Sequence, residues 1–302
     1  MPTSITIATF NCENLFKRYK FSSKLADAKK NDAVENGFII DKTIFETILP
    51  EERTLTAQAI KATKADIICL QEVENLDTLK TFQSQFLKQY PFQYLIDGND
   101  PRLIDVAVLS KMEAATLRTH QFDKKGTTKI FSRDCLEIEY NINGTILTLF
   151  VNHFKSMLGG EEETNARRME QSERVTAIIK EKFGNNPTNE NFVVVGDFNA
   201  KPDSSSIAPL LSQPWIENVV ATRLPEDAQW THFYDREKSV AQLDYLLLSK
   251  SLATKNPKAK PNIVKNGLCL NVTQYTGKRF DGIGKVRPSA SDHCPIGITL
   301  NI

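Results

Sequence analysis

The stretch VVVGDFNAKP, residues 193–202, predicts a buried strand with a functional site at its end. Three consecutive valines favour a strand inside a core, because β-branched apolar runs are typical of buried strands. The strand leads into Gly196 and then into Asp197 and Asn199, a carboxylate and a carboxamide two residues apart. Pro202 cannot donate a ladder hydrogen bond and so ends the strand. Such polar groups at the end of a core strand indicate chemistry at a sheet edge.

Other apolar strands end in the same way. ITIATF leads into an asparagine, DIICL into a glutamine and a glutamate, and LTLFV into an asparagine and a histidine. QLDYLLL begins with an aspartate, and SDH precedes the last apolar run. The side chains singled out by this pattern are Asn11, Glu72, His153, Asp244, Asp292 and His293. Amide and carboxylate oxygens suit hard divalent cations such as Mg²⁺, whereas the histidines suit proton transfer or phosphate contact.

Each of these residues also has an ordinary structural explanation. Asn11 alone is a typical turn residue, and Glu72 alone is a typical solvated side chain. GDFN alone fits a Gly-Asp turn, and SDH alone fits a helix or turn cap. Asp105 and Asp244 lie beside strands, where each could orient a histidine through a carboxylate–imidazole pair.

The distribution of strands and helices favours a mixed α/β sandwich. Predicted strands follow one another as often as they alternate with helices, which argues against a doubly wound parallel sheet. Asn75 is a candidate N-cap for the second helix. No linker divides the chain, so we expect one domain over residues 1–302. The predicted strands are 5–10, 66–70, 106–110, 136–140, 146–152, 191–195, 242–249 and 296–300, and the predicted helices are 53–64, 76–90 and 167–183.

Composition excludes few functions. The chain has 302 residues, 40% of them hydrophobic, which is enough for a large core. A formal net charge of +1 neither indicates nor excludes a nucleic-acid partner. No leader-like segment precedes the first predicted strand, and no apolar run reaches the roughly 18 residues of a membrane span. We therefore expect a cytoplasmic protein, or a secreted one if a leader was removed. The five cysteines contain no CxxC pair, so we expect them to be reduced and structural.

Two segments resemble insertions or long loops. The first, residues 17–50, is polar and rich in lysine. The second, residues 254–288, holds eight Lys/Arg and one acid, Asp281, with Tyr275 and Phe280 interleaved. The second loop could follow a phosphate backbone, although a charged loop is more often only solvated.

Seven motifs in order resemble the endonuclease/exonuclease/phosphatase superfamily of metal-dependent phosphoesterases. The motifs are FNCENLF, DIICLQEVEN, IDVAVLSK, VNHFKS, VVVGDFNAKP, QLDYLLLS and SDHCPI, and they extend from Phe10 to Ile296. The resemblance implies a DNase I-like fold, a four-layer α/β sandwich in which two mixed sheets pack face to face with helices outside. It also implies phosphodiester hydrolysis by in-line attack of water.

The resemblance assigns roles to individual residues. Asn11, Glu72 and Asp292 match the metal site, which implies Mg²⁺, with Mn²⁺ as an alternative. Asp197 and Asn199 match the pair that holds the attacking water, the phosphate or a second metal. The remaining matches are His293 as general base or phosphate holder with Asp244 as partner, His153 as general acid, and Asp105 as the candidate partner of His153.

Substrate contacts are predicted less sharply. Arg133, in FSRDCLEIEY, is either a phosphate contact or a surface strand residue. Lys155 and Arg168 are further candidates, and Arg168 could instead be a solvated helix residue.

Branch-specific motifs favour DNA as the substrate. The chain has His153 where abasic-site endonucleases usually place a tyrosine, and GDFNAKP where inositol 5-phosphatases usually carry GDLNYR. It has no obvious apolar hairpin of the sphingomyelinase type. We therefore expect a DNA endonuclease with no stable protein partner and no membrane contact. A lipid or small-molecule phosphodiesterase or phosphatase is the alternative, and a catalytically inactive scaffold is a third possibility.

Overall fold

Two mixed β-sheets of six strands each form the centre of the protein. The computed structural model describes residues 4–16, 19–21, 45–47, 50–157 and 159–302. The strands, in chain order, are Ser4–Leu15 (β1), Tyr19–Phe21 (β2), Phe45–Thr47 (β3), Ile67–Val73 (β4), Phe92–Leu95 (β5), Asp105–Ser110 (β6), Thr116–Arg118 (β7), Lys124–Lys125 (β8), Thr128–Lys129 (β9), Cys135–Ile142 (β10), Thr145–His153 (β11), Phe192–Asp197 (β12), Ile216–Asn218 (β13), His232–Tyr234 (β14), Ser239–Ala241 (β15), Asp244–Ser249 (β16), Asn262–Ile263 (β17) and Ile296–Asn301 (β18).

The first sheet has the order β17-β18-β1-β4-β6-β5, and the second has the order β13-β16-β12-β11-β10-β7. Each sheet contains one parallel pair at its centre, β1 with β4 and β11 with β12. Parallel neighbours end at the same edge of a sheet. The polar residues that follow these four strands are therefore brought to two adjacent edges.

Four of the described helices cover the outer faces of the two sheets, and the last two short ones pack into the core between them. The helices are Pro50–Ala62 (α1), Leu76–Phe86 (α2), Glu161–Phe183 (α3), Ala208–Leu211 (α4), Val219–Arg223 (α5) and Lys250–Lys255 (α6), with a 3₁₀ turn at Glu226–Ala228. Asn75 caps α2, since its side-chain oxygen accepts a hydrogen bond of 2.8 Å from the backbone N–H of Thr78. This confirms the predicted cap.

The side chains of each strand point alternately to the two faces of its sheet. They form one core between the sheets and one on the outer face of each sheet. Ile5 and Ile7 of β1 face the second sheet, where they join Val195 of β12 in the cluster between the sheets. Ala8 and Phe10 of the same strand face the other way, toward α1 and α2. Successive strand side chains point to opposite faces, so one strand contributes to two layers.

The outer face of the second sheet is covered in the same manner. Phe150 of β11 and Val194 of β12 pack with Val175 and Ile179 of α3. Each fully buried aliphatic side chain of this kind contributes roughly 1.5–3 kcal/mol. The arrangement helix, sheet, sheet, helix confirms the predicted four-layer α/β sandwich.

The predicted elements are all present, with changed boundaries. Helix α3 begins six residues before the predicted start at 167, and α2 ends at Phe86 instead of 90. Strands β5, β7 and β13 were not predicted, because they are short and half-exposed and so lack a clear apolar pattern. All five cysteines are free, as expected.

The structure describes only one of the two predicted long loops in full. Most of the segment 17–50 lies outside the described residues. In the segment 254–288, Arg279 donates hydrogen bonds to the carbonyls of Leu268 and Val272 and lies over the ring of Tyr275. This arginine therefore holds the loop together instead of projecting from it. Within the described ranges, no helix combines the length and apolar character needed to cross a bilayer.

Candidate active site

The polar strand ends converge on one buried carboxylate, Asp197. Its Oδ2 accepts hydrogen bonds of 3.0 Å from the amide nitrogens of Asn11 and Asn199. The same oxygen lies 3.6 Å from Nε2 of His153 and 3.9 Å from Nε2 of His293. Three of the six residues singled out by the strand-end pattern, Asn11, His153 and His293, therefore lie against Asp197.

Strand register explains this convergence. In the parallel β11–β12 pair, His153 lies opposite Asp197, and in the antiparallel β12–β16 pair Asp197 lies opposite Asp244. Asn11, on β1 of the other sheet, reaches Asp197 across the sheet interface. The site is thus built where the two sheets meet.

Gly196 is required for this register. It has φ = +133°, and a Cβ at this position would lie 1.9 Å from the carbonyl oxygen of Asn152. Only glycine combines this backbone conformation with such a close approach. The glycine of GDFN thus allows β11 and β12 to pair as far as His153 and Asp197.

His293 is held by a buried carboxylate. Its Nδ1 lies 2.8 Å from Oδ2 of Asp244, and the same oxygen accepts a hydrogen bond of 2.7 Å from the hydroxyl of Thr231. Asp244 is fully buried. The pair directs Nε2 of His293 toward Asp197, as the predicted pairing requires. Thr231 was missed in the sequence, since a lone threonine gives no signal there.

His153 is positioned differently. Its Nε2 lies 3.6 Å from Asp197 and 4.0 Å from Oε1 of Glu72. Its Nδ1 is buried and has no hydrogen-bond partner among the described residues. Nε2 of His153 therefore faces the two carboxylates. No carboxylate among the described residues binds Nδ1, so packing alone orients the ring.

The two histidines have opposite charge preferences. Burial lowers the pKa of His153, and the nearby Arg133 and His293 lower it further, well below its usual value. Burial also opposes the charge on His293, but the carboxylates Asp244 and Asp197 dominate and raise its pKa well above the usual value. The surroundings thus favour the charged form of His293 and the neutral form of His153.

Asp197 is suited to accept a proton. Burial raises its pKa, with a further increase from Asp244, while His293 and hydrogen bonds from Asn199 and Asn11 act in the opposite direction. A carboxylate with a raised pKa is a better base than an exposed one. Asp197 lies between the two histidines, within 4 Å of Nε2 of each.

Left-handed backbone conformations concentrate at this edge. Glu13, Asn14, Glu72 and Asn199 all have positive φ, and they are half of the eight non-glycine residues with this conformation in the described ranges. Glu72 lies where the pairing of β4 with β1 and β6 shifts register. Backbone strain of this kind costs about 1–3 kcal/mol per residue and is typical of functional sites.

The donor set fits a divalent cation. Glu72 Oε1 lies 3.4 Å from the amide nitrogen of Asn11, and its Oε2 accepts from the backbone N–H of Asn14 at 3.0 Å. The side chain of Glu72 is 20% exposed, so one face of the carboxylate is open. Glu72, Asp197, Asp244 and Asp292 outnumber the histidines around them, and this surplus of carboxylates favours a bound cation.

Asp292 lies beside two histidines. Its Oδ1 is 4.0 Å from Nε2 of His293, and its Oδ2 is 3.7 Å from Nε2 of His232. Burial opposes its charge, but His232 and His293 lower its pKa to about 2. His232 was not singled out in the sequence, because THFYD follows no apolar strand. It reaches the site through backbone pairing with His293.

A cationic cluster flanks His153. Arg133 is fully buried, with its Nε 3.0 Å from Asp100 and its Nη1 donating to the carbonyl of Phe154 at 3.3 Å. Asp100 also binds Arg102, whose side chain is 47% exposed. Burial lowers the pKa of Lys155, and Arg133 and Arg102 lower it further. Asp100 and Arg102 were missed because they belong to a loop without a motif.

Two predicted site residues have other contacts. Asp105 accepts a hydrogen bond of 2.8 Å from the backbone N–H of Gly98, and no hydrogen bond joins it to His153 in the described part of the chain. The expected Asp105–His153 pair is therefore not formed. Arg168 is fully buried and donates to the carbonyl of Lys155. It is a structural arginine that anchors the loop after β11, not a solvated or substrate-facing residue.

Comparison with known proteins supports the family resemblance. The family model described as "Endonuclease/Exonuclease/phosphatase family" matches residues 6–300. A comparison with curated proteins finds no match.

Solved structures of similar fold cover the whole chain. Truncated TDP2 from Caenorhabditis elegans has 17% identity and a TM-score of 0.62, over 99% of this chain and 98% of that one. An endonuclease/exonuclease/phosphatase family protein from Bacteroides thetaiotaomicron has 15% identity and a TM-score of 0.61, over 99% and 98%. A mannosyl-6-phosphatase from the same organism has 16% identity and a TM-score of 0.61, over 99% and 100%. At these identities the likeness shows a shared fold.

Proposed function

The chain belongs to the endonuclease/exonuclease/phosphatase family of divalent-metal-dependent phosphoesterases, and we propose that it hydrolyses phosphodiester bonds, with DNA as the favoured substrate. The observation that carries the proposal is the convergence of Asn11, His153, Asn199 and His293 on Oδ2 of Asp197. This cluster places a carboxylate base (Asp197), a positively charged imidazole (His293) and a neutral imidazole (His153) around the proposed position of one bound phosphate.

Glu72 and Asn11 are the residues proposed to hold Mg²⁺ or Mn²⁺, with Asp292 as a further carboxylate. A bound cation of this kind polarises the phosphoryl oxygens and offsets the charge that develops on them. Asn11 would present its amide oxygen after a half-turn of the amide, which now donates to Glu72 and Asp197.

Asp197 is proposed to take the proton of the attacking water. Its raised pKa makes the carboxylate a competent base, and the backbone N–H of Asn199 fixes its other oxygen at 2.8 Å. His293 is then free to act as a cation. Supported by Asp244, it would donate from Nε2 to a non-bridging phosphate oxygen and stabilise charge in the transition state.

His153 is proposed to protonate the leaving oxygen. The protein alone keeps this ring neutral, because burial and two neighbouring cations disfavour a further charge. A phosphodiester bound beside Arg133 would add a negative charge and so raise the pKa of His153. The acid would then form only when substrate is present.

The cationic cluster of Arg102, Arg133 and Lys155 favours a polyanionic substrate. Arg133 and Arg102 are close enough to His153 to lower its pKa, so the cluster flanks the phosphate position. Arg102, half-exposed and held by Asp100, is suited to contact a second phosphate along a nucleic-acid backbone.

A second candidate function is supported by a cleft that follows the GDFN segment. This cleft has a volume of about 570 Å³, begins at Lys201 two residues after Asn199, and includes Trp230 and Gln242. Asp203, Glu226 and Asp227 also line it, and these acids would repel a phosphate backbone. A neutral polyol or another small group would fit better, which favours a small-molecule phosphoesterase.

Supercoiled plasmid distinguishes the two functions. The protein is incubated with plasmid and Mg²⁺ or Mn²⁺, with EDTA and His153→Ala as controls. Nicking that requires both the metal and the histidine supports the DNA endonuclease. Intact plasmid together with hydrolysis of bis-p-nitrophenyl phosphate retains the chemistry and favours the small-molecule substrate. Inactivity on both substrates would contradict the proposal.

A further inference from the structure

Three residues beside the proposed phosphate site form a second possible metal-binding group. They are His232, Asp292 and His293, and their ligand atoms all lie within 4.8 Å of one another. The proposed reaction uses Asp292 and His293 but gives His232 no role. The rings of His232 and His293 lie 4.5 Å apart between centroids.

Backbone hydrogen bonds hold this group in place. The N–H of Phe233 donates to the carbonyl of Asp292 at 3.0 Å, and the N–H of Cys294 donates to the carbonyl of Thr231 at 2.6 Å. Residues 231–233 therefore pair with residues 292–294 as a short antiparallel ladder. His232 and His293 form a cross-strand pair in that ladder, so their rings are fixed on one face.

The distances suit a shared cation. Nε2 of His232 lies 3.7 Å from Oδ2 of Asp292, and Nε2 of His293 lies 4.0 Å from Oδ1. Metal–ligand bonds of about 2.1 Å place tetrahedral ligand atoms about 3.4 Å apart. Both separations are too long for hydrogen bonds. They exceed the tetrahedral spacing by roughly 0.3 and 0.6 Å, so a small movement of the side chains would bring both imidazoles to an ion held by the Asp292 carboxylate.

The ligand types select the kind of metal. Two imidazole nitrogens and one carboxylate suit Zn²⁺, Co²⁺ or Mn²⁺, whereas Mg²⁺ prefers oxygen ligands. The side chain of Asp292 is 42% exposed, which leaves a path for entry of an ion. The neighbouring cation Arg287 is paired with Glu13 and Glu52, and this pairing reduces its repulsion of a second cation.

We propose that His232, Asp292 and His293 bind a transition-metal ion of the Zn²⁺ class, at a site whose nitrogen ligands distinguish it from the oxygen site at Glu72. Occupancy would remove Nε2 of His293 from the phosphate. Zn²⁺ would thus inhibit the Mg²⁺-dependent reaction, a consequence that rests on the proposed function. Binding itself does not depend on the substrate.

Cobalt absorption tests the binding directly. Co²⁺ is titrated into metal-free protein, where a nitrogen-containing site of low coordination number gives intense visible bands and an all-oxygen octahedral site gives only weak ones. We expect His232→Gln to weaken this binding at least about tenfold, since even outer partners of a metal-bound histidine have effects of that size. Asp292→Asn should also weaken it. His120→Gln is the control, because His120 pairs with Glu137 at 3.0 Å outside the site.

Two results would overturn the proposal. One is wild-type protein without nitrogen-ligated Co²⁺ bands, and the other is His232→Gln with unchanged Co²⁺ affinity. Thermal melting of each variant checks that it is folded. If His232→Gln is unfolded, the Co²⁺ affinity of Asp292→Asn decides the test. Zn²⁺ inhibition is measured relative to each variant's own activity, and the half-inhibitory concentration should rise about tenfold in His232→Gln.

The proposal and the proposed function fail independently. Mg²⁺-dependent hydrolysis without nitrogen-ligated Co²⁺ would overturn the metal site alone. Nitrogen-ligated Co²⁺ without hydrolysis of any phosphodiester would overturn the function alone.

Discussion

Oδ2 of Asp244 lies 2.8 Å from Nδ1 of His293 and 2.7 Å from the hydroxyl of Thr231, in a fully buried position. This single oxygen fixes the imidazole ring and supplies much of the negative charge that raises the pKa of His293. The pair therefore explains why a buried histidine is charged. Removal of the negative charge of Asp244 should affect catalysis more than folding.

Asp244→Asn tests that relationship. Asparagine can keep the hydrogen bonds to His293 and Thr231 but loses the charge, so the pKa of His293 falls. We expect kcat/KM to decrease roughly 10²–10⁴-fold, and the loss of activity at high pH to begin at a lower pH. Rates on bis-p-nitrophenyl phosphate across pH measure both effects. Asp235→Asn, at an exposed acid paired with Lys238, is the control. Activity within threefold of wild type would remove the charged His293 from the mechanism.

Glu72→Gln tests the proposed metal site. Glutamine preserves one side-chain oxygen but removes the charge that attracts the cation, so the Mg²⁺ concentration for half-maximal activity should rise about tenfold or more. The measurement is a Mg²⁺ titration of initial rate. Glu170→Gln is a matched control, because Glu170 pairs with Arg167 on the surface of α3. An unchanged Mg²⁺ midpoint would exclude Glu72 as a ligand.

His153→Ala tests the identity of the leaving-group acid. A proton donor matters most when the leaving oxygen is strongly basic, so the variant should lose roughly 10²–10⁴-fold on an alkyl leaving group. It should lose far less on a p-nitrophenyl ester. Paired rates on the two ester types measure this difference. Equal losses on both would assign His153 to phosphate binding.

The sequence predicted the strand ends, and the family resemblance predicted one of the two carboxylate–histidine pairs correctly. A change from an apolar run to Asn11 or Asp197 is a local feature and is visible in the letters themselves. Which carboxylate reaches which histidine depends on register between strands far apart in the chain. Asp244 fits the expected pair because β16 lies next to β12, whereas Asp105, on β6 of the other sheet, bonds Gly98.

Other misses have the same origin. Arg168 occupies the polar part of a helical pattern, yet the loop after β11 folds over it and buries it. His232 follows no strand-end motif and reaches the site only because residues 231–233 pair with 292–294. Burial and pairing created by distant segments cannot be read from a single sequence window.

Asp105→Asn should change how stability depends on pH. Burial raises the pKa of Asp105 to about 7, partly offset by the hydrogen bond from Gly98. Between pH 4 and 7 the folded protein binds more protons at this residue than the unfolded chain, so its contribution to stability falls as pH rises. Relative to wild type, Asp105→Asn should gain about 1–3 kcal/mol between pH 5 and pH 8. Urea unfolding at both pH values measures the difference.

The same variant tests whether Asp105 orients His153. Asparagine can still accept the hydrogen bond from Gly98, so the loop should remain intact. Because no hydrogen bond joins Asp105 to His153, we expect kcat to stay within a few-fold of wild type. A loss of several hundredfold would show that the two residues pair during turnover.

Gly196→Ala tests the contact that lets β11 and β12 meet at the site. A Cβ at this position would lie 1.9 Å from the carbonyl oxygen of Asn152, at φ = +133°. The strands must then separate, and His153 would move away from Asp197. We expect a loss of about 2–4 kcal/mol in the free energy of unfolding, with little activity remaining. Gly144→Ala is the matched control, since Gly144 has φ = +89° but no atom of the described residues within 4 Å of the added Cβ. Gly144→Ala should lose about 1 kcal/mol of the free energy of unfolding, because only the backbone conformation is unfavourable there, and it should keep its activity. Equal losses in the two variants would mean that backbone conformation, and not the close approach of the two strands, requires the glycine of GDFN.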